Sequence, residues 1–309
     1  MLFRPALLCL CAPALLAAPT LDRTVLAMGT VLSLHLEGPG DLGQASERAL
    51  AESARIEAAC STWNPASAWS RLNGAGGHPV ALAPEWLDLL ATAQAWQART
   101  EGAFDPVLMA LMRAWDIRGG GRRRPTPAAW ARARRASGSR LLVLDRRAGT
   151  ARLRDPEAGV EEGGFLKGYA LDRMRTASGT PVGLLNFGGQ LLAWGRPVQA
   201  SIADPRERNR ARISLWLQEA SLSCSGTSVR GRHILDPRTG LRCPAWGSVA
   251  VVASKGLTAD ILSTALYVLG PERGLAWADR HGTAAAFLLA DGTIRESAAF
   301  RSLHPKELP

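Results

Sequence analysis

Residues 184–195 read LLNFGGQLLAWG, two apolar runs joined by Gly188-Gly189. Strands linked by so short a glycine turn lie antiparallel, because a parallel neighbour needs a crossover of a dozen or more residues. The pattern recurs in RLLVLDRRAGTARLR (140–154), around Ala148-Gly149, and again in residues 284–297, around Asp291-Gly292. Strands that arrive in hairpins rather than one per helix point to an α+β fold with largely antiparallel sheets and packed helices.

The remaining segments fill in that outline. Residues 24–37, TVLAMGTVLSLHLE, alternate as a strand does, with Leu32, Leu34 and Leu36 on one face. Helical spacing covers 44–60 and 84–99, and STWNPASAWSRLN (61–73) reads as a loop between them. In GAFDPVLMALMRAW (102–115), Asp105-Pro106 reads as the cap and first residue of a helix. EEGGFLKGYALDRM (161–174) is a helix opened by Gly163-Gly164. Further strands are expected at 198–203, 212–217 and 247–253, and helices at 258–269 and 272–280. The arginine- and glycine-rich stretch 118–127 reads as a surface insertion. No repeat or long disordered linker divides the chain, so residues 19–309 are expected to form one domain.

Residues 1–18, MLFRPALLCLCAPALLAA, have the layout of a secretory signal peptide: an early Arg, an apolar run, then small residues. Cleavage is expected near Ala17 or Ala18, with release into the periplasm. Cys9 and Cys11 lie inside the apolar run without the small residue expected before a lipidated cysteine, which argues against a lipid anchor. Cys60, Cys224 and Cys243 lack zinc-site spacing, and a Cys224–Cys243 disulfide is one option in an oxidising compartment. The formal charge is +10, much of it in RGGGRRR (118–124) and RARR (132–135). Such charge suits an anionic partner. Export, and the lack of an aromatic-rich RNA motif or helix-turn-helix pattern, argue that this partner is not nucleic acid.

Chemistry concentrates in SCSGTSVRGRHILDPRTG (223–240). Small residues that let backbone approach a ligand precede His233, and Asp236-Pro237 with Thr239-Gly240 makes a tight turn. Arg230, Arg232 and Arg238 bring guanidinium forks suited to phosphate oxygens. Downstream, Thr258 reads as the cap of a helix on which Asp260 and Thr264 share one face. A carboxylate and a hydroxyl are oxygen ligands of the kind that hold Mg²⁺ beside substrate phosphates. Gly163-Gly164 with Lys167-Gly168 offers backbone N–H groups and an ammonium to an anion. Trp63 and Met28-Gly29-Thr30 offer apolar walls for a planar ring. Each pattern alone also suits an ordinary surface turn, helix cap or core position.

Together the segments resemble the ApbE family of FAD:protein FMN transferases. The resemblance rests on Met28-Gly29-Thr30, STWNPASAWSRLN, GAFDP, GGFLKGYALD, LNFGGQ, CSGTSVRGRHILDPRTG and TADILSTAL, which fall in the family's order from residue 28 to about 270. It implies an exported enzyme that binds FAD and Mg²⁺, cleaves the pyrophosphate, attaches FMN to a Thr or Ser of an acceptor protein and releases AMP. The acceptor would be an exported or membrane-anchored respiratory protein. By the same resemblance Met28, Trp63, Ala103, Phe104, Asp105, Asp172 and Ile234 would contact FAD. Asp260 and Thr264, with backbone oxygens near Leu166 and Ser263, would hold Mg²⁺, and His233 would take the acceptor hydroxyl's proton. The chain departs from the family pattern at Gln190, Cys224, Glu161-Glu162 and Leu166. Those departures keep two alternatives open: a flavin-storage module without transferase activity, and an FAD pyrophosphatase.

Overall fold

The computed structural model describes residues 18–121, 124–227 and 231–308. Apart from Ala18, the expected signal peptide falls outside the described residues, as do Arg122, Arg123 and Arg230. The first element corrects the expected single strand at 24–37. β1 (Thr20–Ala27) and β2 (Thr30–Glu37) form a hairpin whose register pairs Ala27 with Thr30. Met28 and Gly29, at φ 45° and 71°, make the turn. Positive φ at both central residues gives a link whose twist matches the strands. Alternation simply runs on across this turn, which lacks an Asn-Gly or Asp-Gly signal. On β2, Leu32, Leu34 and Leu36 are buried together as expected.

The chain continues through α1 (Leu42–Cys60), α2 (Ala68–Gly74), β3 (Val80–Ala81), α3 (Pro84–Arg99), α4 (Met109–Ala114) and α5 (Pro127–Arg135). Next come β4 (Leu142–Asp145), β5 (Thr150–Leu153), α6 (Leu166–Ser178), β6 (Val182–Phe187), β7 (Gln190–Trp194), β8 (Val198–Ala203), β9 (Ala211–Leu217) and β10 (Ala220–Gly226). The last are β11 (Leu235–Asp236), β12 (Leu241–Arg242), β13 (Gly247–Ala253), α7 (Gly256–Arg280), β14 (Ala284–Leu289), β15 (Ile294–Glu296), α8 (Ala298–Arg301) and β16 (Lys306–Glu307). The segment 61–73, expected as loop, ends in α2, which Ser67 caps by accepting from Ser70 N–H. The two helices expected at 258–269 and 272–280 are both present within α7, separated at Gly270-Pro271, where Gly270 leaves helical geometry (φ 78°, ψ 172°).

Eight strands make the main sheet in the order β1-β2-β6-β7-β10-β13-β14-β15, each pair antiparallel. Its two faces pack differently. Val249 and Val251 of β13 point into a core with Leu34, Ile56, Trp69, Phe165, Phe187 and Ile261, whereas Ala250 points into a second core with Ile213, Leu215, Leu288 and Phe300. Burying each such aliphatic side chain contributes about 1.5–3 kcal/mol. α6 packs against α1 on one side and α7 on the other, and α7 lies along β10 and β13.

Strand β10 was not anticipated. Ser223, Cys224 and Ser225, read above as an open small-residue run, pair with Val251, Ala250 and Val249 inside the sheet. Hydroxyl side chains give little strand signal. Here they serve the helix above them: Ser263 Oγ lies 3.2 Å from Ser223 Oγ and 2.9 Å from Ser225 Oγ. Cys60, Cys224 and Cys243 are all free thiols.

Candidate active site

The site begins where α6 crosses α7. A Cβ on Gly168 would lie 2.2 Å from Gly256 O and 2.8 Å from Asp260 Cβ, so only glycine permits this approach. The Gly168 N–H donates to Asp260 Oδ2 at 3.0 Å. From one turn along α6, Asp172 accepts from the N–H groups of Gly256 (2.6 Å) and Leu257 (3.0 Å). Asp172 thus caps α7 from a neighbouring helix, and α7 starts at Gly256 with no side-chain cap of its own. The expected cap at Thr258 is corrected accordingly. Burial pushes the Asp172 carboxyl up from its ordinary range while these two N–H groups pull it back.

Asp260 is buried and, among the described residues, makes no ion pair. Desolvation raises its pKa, opposed by the nearby Lys167 charge and the Gly168 N–H. One turn further along α7, Thr264 faces the Gly163–Gly164 loop. A Cβ on Gly164 would meet Thr264 Oγ1 at 3.3 Å and Phe104 Cε2 at 3.4 Å. Phe104, Gly164, Thr264 and Asp260 are thereby gathered at one end of α6. Ser263 is fully buried on the β10 side, and its hydroxyl donates to Asp260 O at 3.0 Å. The Leu166 side chain is buried in the main core, and its N–H donates to Glu162 O at 3.1 Å.

These donors fit a hard divalent cation. A buried carboxylate with no ion pair among the described residues, a hydroxyl one helical turn away and a glycine loop whose backbone comes close make an all-oxygen site, the chemistry Mg²⁺ prefers. Among the described residues no three His, Cys, Asp or Glu side chains cluster.

A second group of residues lies around α1, α4 and the segment before α6. The Met28 N–H donates to Glu57 Oε2 at 3.0 Å, fixing the hairpin turn against α1. Trp63 is 67% exposed, with the Arg118 guanidinium 4.3 Å from its ring centre. Arg118 also donates to Thr62 Oγ1 and lies 3.7 Å from Glu162, which accepts from Thr62 N–H and Oγ. Ala103 and Phe104 are buried, Phe104 edge-on to Phe165 at 5.9 Å. Asp105 is corrected as a helix cap: α4 begins only at Met109. Its carboxylate instead accepts from Val107 N–H, Ser139 N–H and Ser139 Oγ, each at 2.8 Å, tying the GAFDP turn to the segment after α5.

The 231–243 segment supplies the remaining parts. His233 Nδ1 sits 3.0 Å from Gly231 O on a half-buried loop. Ile234 is buried and its carbonyl accepts from Cys243 N–H at 2.9 Å, closing the β11–β12 hairpin. Within that hairpin Arg238 forks onto Asp236 at 2.9 and 2.8 Å, and Gly240 (φ 71°) completes the turn. Gly240 O accepts from two indoles, Trp115 at 2.9 Å and Trp130 at 3.1 Å. Sequence reasoning gave no site role to Arg118, Glu162 or either of these tryptophans. The first three sit in segments read as insertion, helix opening or helix, and only contacts distant in sequence reveal them.

The ApbE family model matches residues 28–288 of the chain. An FAD:protein FMN transferase of Klebsiella pneumoniae (strain 342) is 31% identical over 218 residues, 66% of this chain and 68% of that protein. A protein of the same name from Rhodobacter capsulatus is 28% identical over 303 residues, 89% of this chain but 56% of its own length. The chain thus spans little more than half of that relative. In structure the chain is similar to the apo flavinyl transferase ApbE of Pseudomonas stutzeri (TM-score 0.83, 27% identity, 94% of this chain and 98% of that one). It is also similar to the ApbE protein of Thermotoga maritima (TM-score 0.86, 25% identity, 92% and 99%). With the Gly-Gly loop, the Asp236–Gly240 turn and the Asp260 face of α7 all inside the matched span, the chain belongs to the ApbE family.

Proposed function

We propose that the protein cleaves FAD and transfers its FMN half to a Thr or Ser hydroxyl of an acceptor protein. The observation that carries this reading is the buried Asp260 carboxylate, which makes no ion pair among the described residues, with Thr264 beside it, facing a glycine loop at a helix start. Such a site suits a pyrophosphate, whose charge has to be neutralised before a phosphoryl group can move. Relatives that carry the transferase name support the same activity.

In the reaction the acceptor oxygen forms a bond to the FMN phosphorus while the phosphoanhydride bond to AMP breaks. The hydroxyl proton passes to the His233 imidazole, and AMP leaves with the bridging oxygen. An imidazole within reach of the hydroxyl is a base of the kind that step needs. Asp260, Thr264 and backbone oxygens at Leu166 and Ser263 would hold a Mg²⁺ ion, which would supply charge neutralisation at the pyrophosphate. Trp63, Met28 and the 103–105 backbone offer contacts for the ring systems, and Ile234 and Asp172 further contacts to FAD.

The apolar leader supports export to the periplasm, where an exported or membrane-anchored respiratory protein with a flavinylation Thr or Ser is the acceptor. Among the described residues no helix is long and apolar enough to cross a membrane. The test incubates the mature protein with FAD, Mg²⁺ and a candidate acceptor and follows covalent flavin fluorescence in a denaturing gel together with AMP. Labelled acceptor with equimolar AMP is expected. AMP without label means a pyrophosphatase, and FAD retention with neither product means a storage module.

A further inference from the structure

A cavity of about 790 Å³ lies between α3, α5, the 137–140 segment and the Asp236–Gly240 turn, lined by Trp130, Arg134, Arg135, Arg140 and Arg238. None of the first four belongs to the reaction above. We propose that this cavity is a separate binding site for a small phosphate-bearing molecule the size of a mononucleotide.

Charge is the first argument. Arg238 is paired with Asp236 at 2.8 Å, and Arg132, beside the cavity, with Glu157 at 3.2 Å. Arg134, Arg135 and Arg140 make no ion pair among the described residues. The carboxylate that reaches the lining, Asp105, already accepts from Val107 N–H, Ser139 N–H and Ser139 Oγ. Three guanidiniums therefore face one concavity; Asp105 partly offsets Arg140, while Arg134 and Arg135 make no ion pair among the described residues.

Preorganisation is the second. Arg134 Nη2 donates to Arg238 O at 2.9 Å. Arg140 donates to Ser137 O at 2.6 Å and to Arg135 O at 2.8 Å. These bonds hold the guanidiniums in place yet use only one or two of the five donors each carries. The planar fork that remains matches phosphate oxygens, and little rotamer entropy is left to lose. The Trp130 indole is fixed by its bond to Gly240 O and carries the Arg134 guanidinium 5.5 Å from its ring centre, which holds that charge at the cavity. A concave site of this volume suits a small molecule. A peptide partner would more naturally meet a shallow face.

The test titrates AMP, and separately inorganic phosphate, into the full chain without FAD or Mg²⁺ by calorimetry. AMP is expected to bind more tightly than phosphate. The Arg134→Gln/Arg140→Gln variant should weaken AMP by at least ~10-fold, the loss of one charge-assisted contact. Arg135→Gln, at an exposed side chain with no hydrogen bond among the described residues, should fold as wild type and weaken AMP by at least ~3-fold. FAD affinity measured with Mg²⁺ should stay unchanged in both variants, separating this site from the flavin cleft. Equal AMP affinity in wild type and Arg135→Gln, or no AMP binding at millimolar concentration, overturns the proposal. So does binding of an acidic peptide at these arginines without binding of AMP.

Discussion

Gly168 and Asp260 touch through both backbone and side chain: the Gly168 N–H donates to Asp260 Oδ2 at 3.0 Å, and its Cα hydrogen faces Asp260 Cβ. The crossing of α6 and α7 is therefore a packing contact and a site contact at once.

Gly168→Ala is expected to destabilise the protein by about 3 kcal/mol or more, because its Cβ would overlap the Gly256 carbonyl, which cannot rotate away. Thermal unfolding checks it. A midpoint equal to wild type would mean that the two helices can separate freely.

Asp172→Ala should cost about 1–2 kcal/mol by removing the cap of α7. If capping is its whole role, FAD affinity per folded molecule stays at the wild-type value. A fall in affinity of tenfold or more, measured well below the unfolding midpoint, assigns the carboxylate a direct flavin contact as well.

For Asp260→Asn the expected outcome is a folded protein that releases little AMP, or needs far more Mg²⁺ to do so. A Mg²⁺ titration followed by AMP release checks it in both proteins. An unchanged Mg²⁺ dependence would remove Asp260, and Thr264 with it, from the metal site.

His233→Ala should keep FAD binding while acceptor labelling falls by at least ~10²-fold. Quench-flow labelling at saturating FAD measures this directly. Wild-type rates would place the proton acceptor elsewhere.

Glu161 offers a pH test in the protein without flavin or metal. Burial, then the neighbouring Glu162, pushes its carboxyl up to about 7 from an ordinary 4.5. Between those values the unfolded chain has lost the proton that the folded chain keeps. Stability therefore falls as pH rises through this window. Glu161→Gln carries no charge, so it should match wild type at pH 4 and exceed it by about 1–2 kcal/mol above pH 7. Denaturant unfolding across pH checks the slope.

The hairpin turns at Gly188-Gly189, Gly149 and Gly292 were legible because glycine marks a reversal whatever surrounds it. α3 was legible end to end from Pro84 and its apolar spacing. β10 was hidden because Ser223 and Ser225 look like a loop until Ser263 is seen above them. The bonds from Asp172 to Gly256 and from Asp105 to Ser139 were not legible, because those partners come from segments distant in sequence. The shared face of Asp260 and Thr264 followed from helical spacing. The closeness of Gly164 to that face did not, since it depends on how α6 crosses α7.

Two indoles share one carbonyl at Gly240. Indole emission responds to the hydrogen bonding and field at its N–H, so any shift of the Asp236–Gly240 turn changes the light from Trp115 and Trp130 together. The protein thus carries an optical gauge at the base of the loop that bears His233. With Trp115 or Trp130 replaced in turn by Phe, stopped-flow fluorescence can time the turn's movement as flavin arrives from one side or an anion from the other.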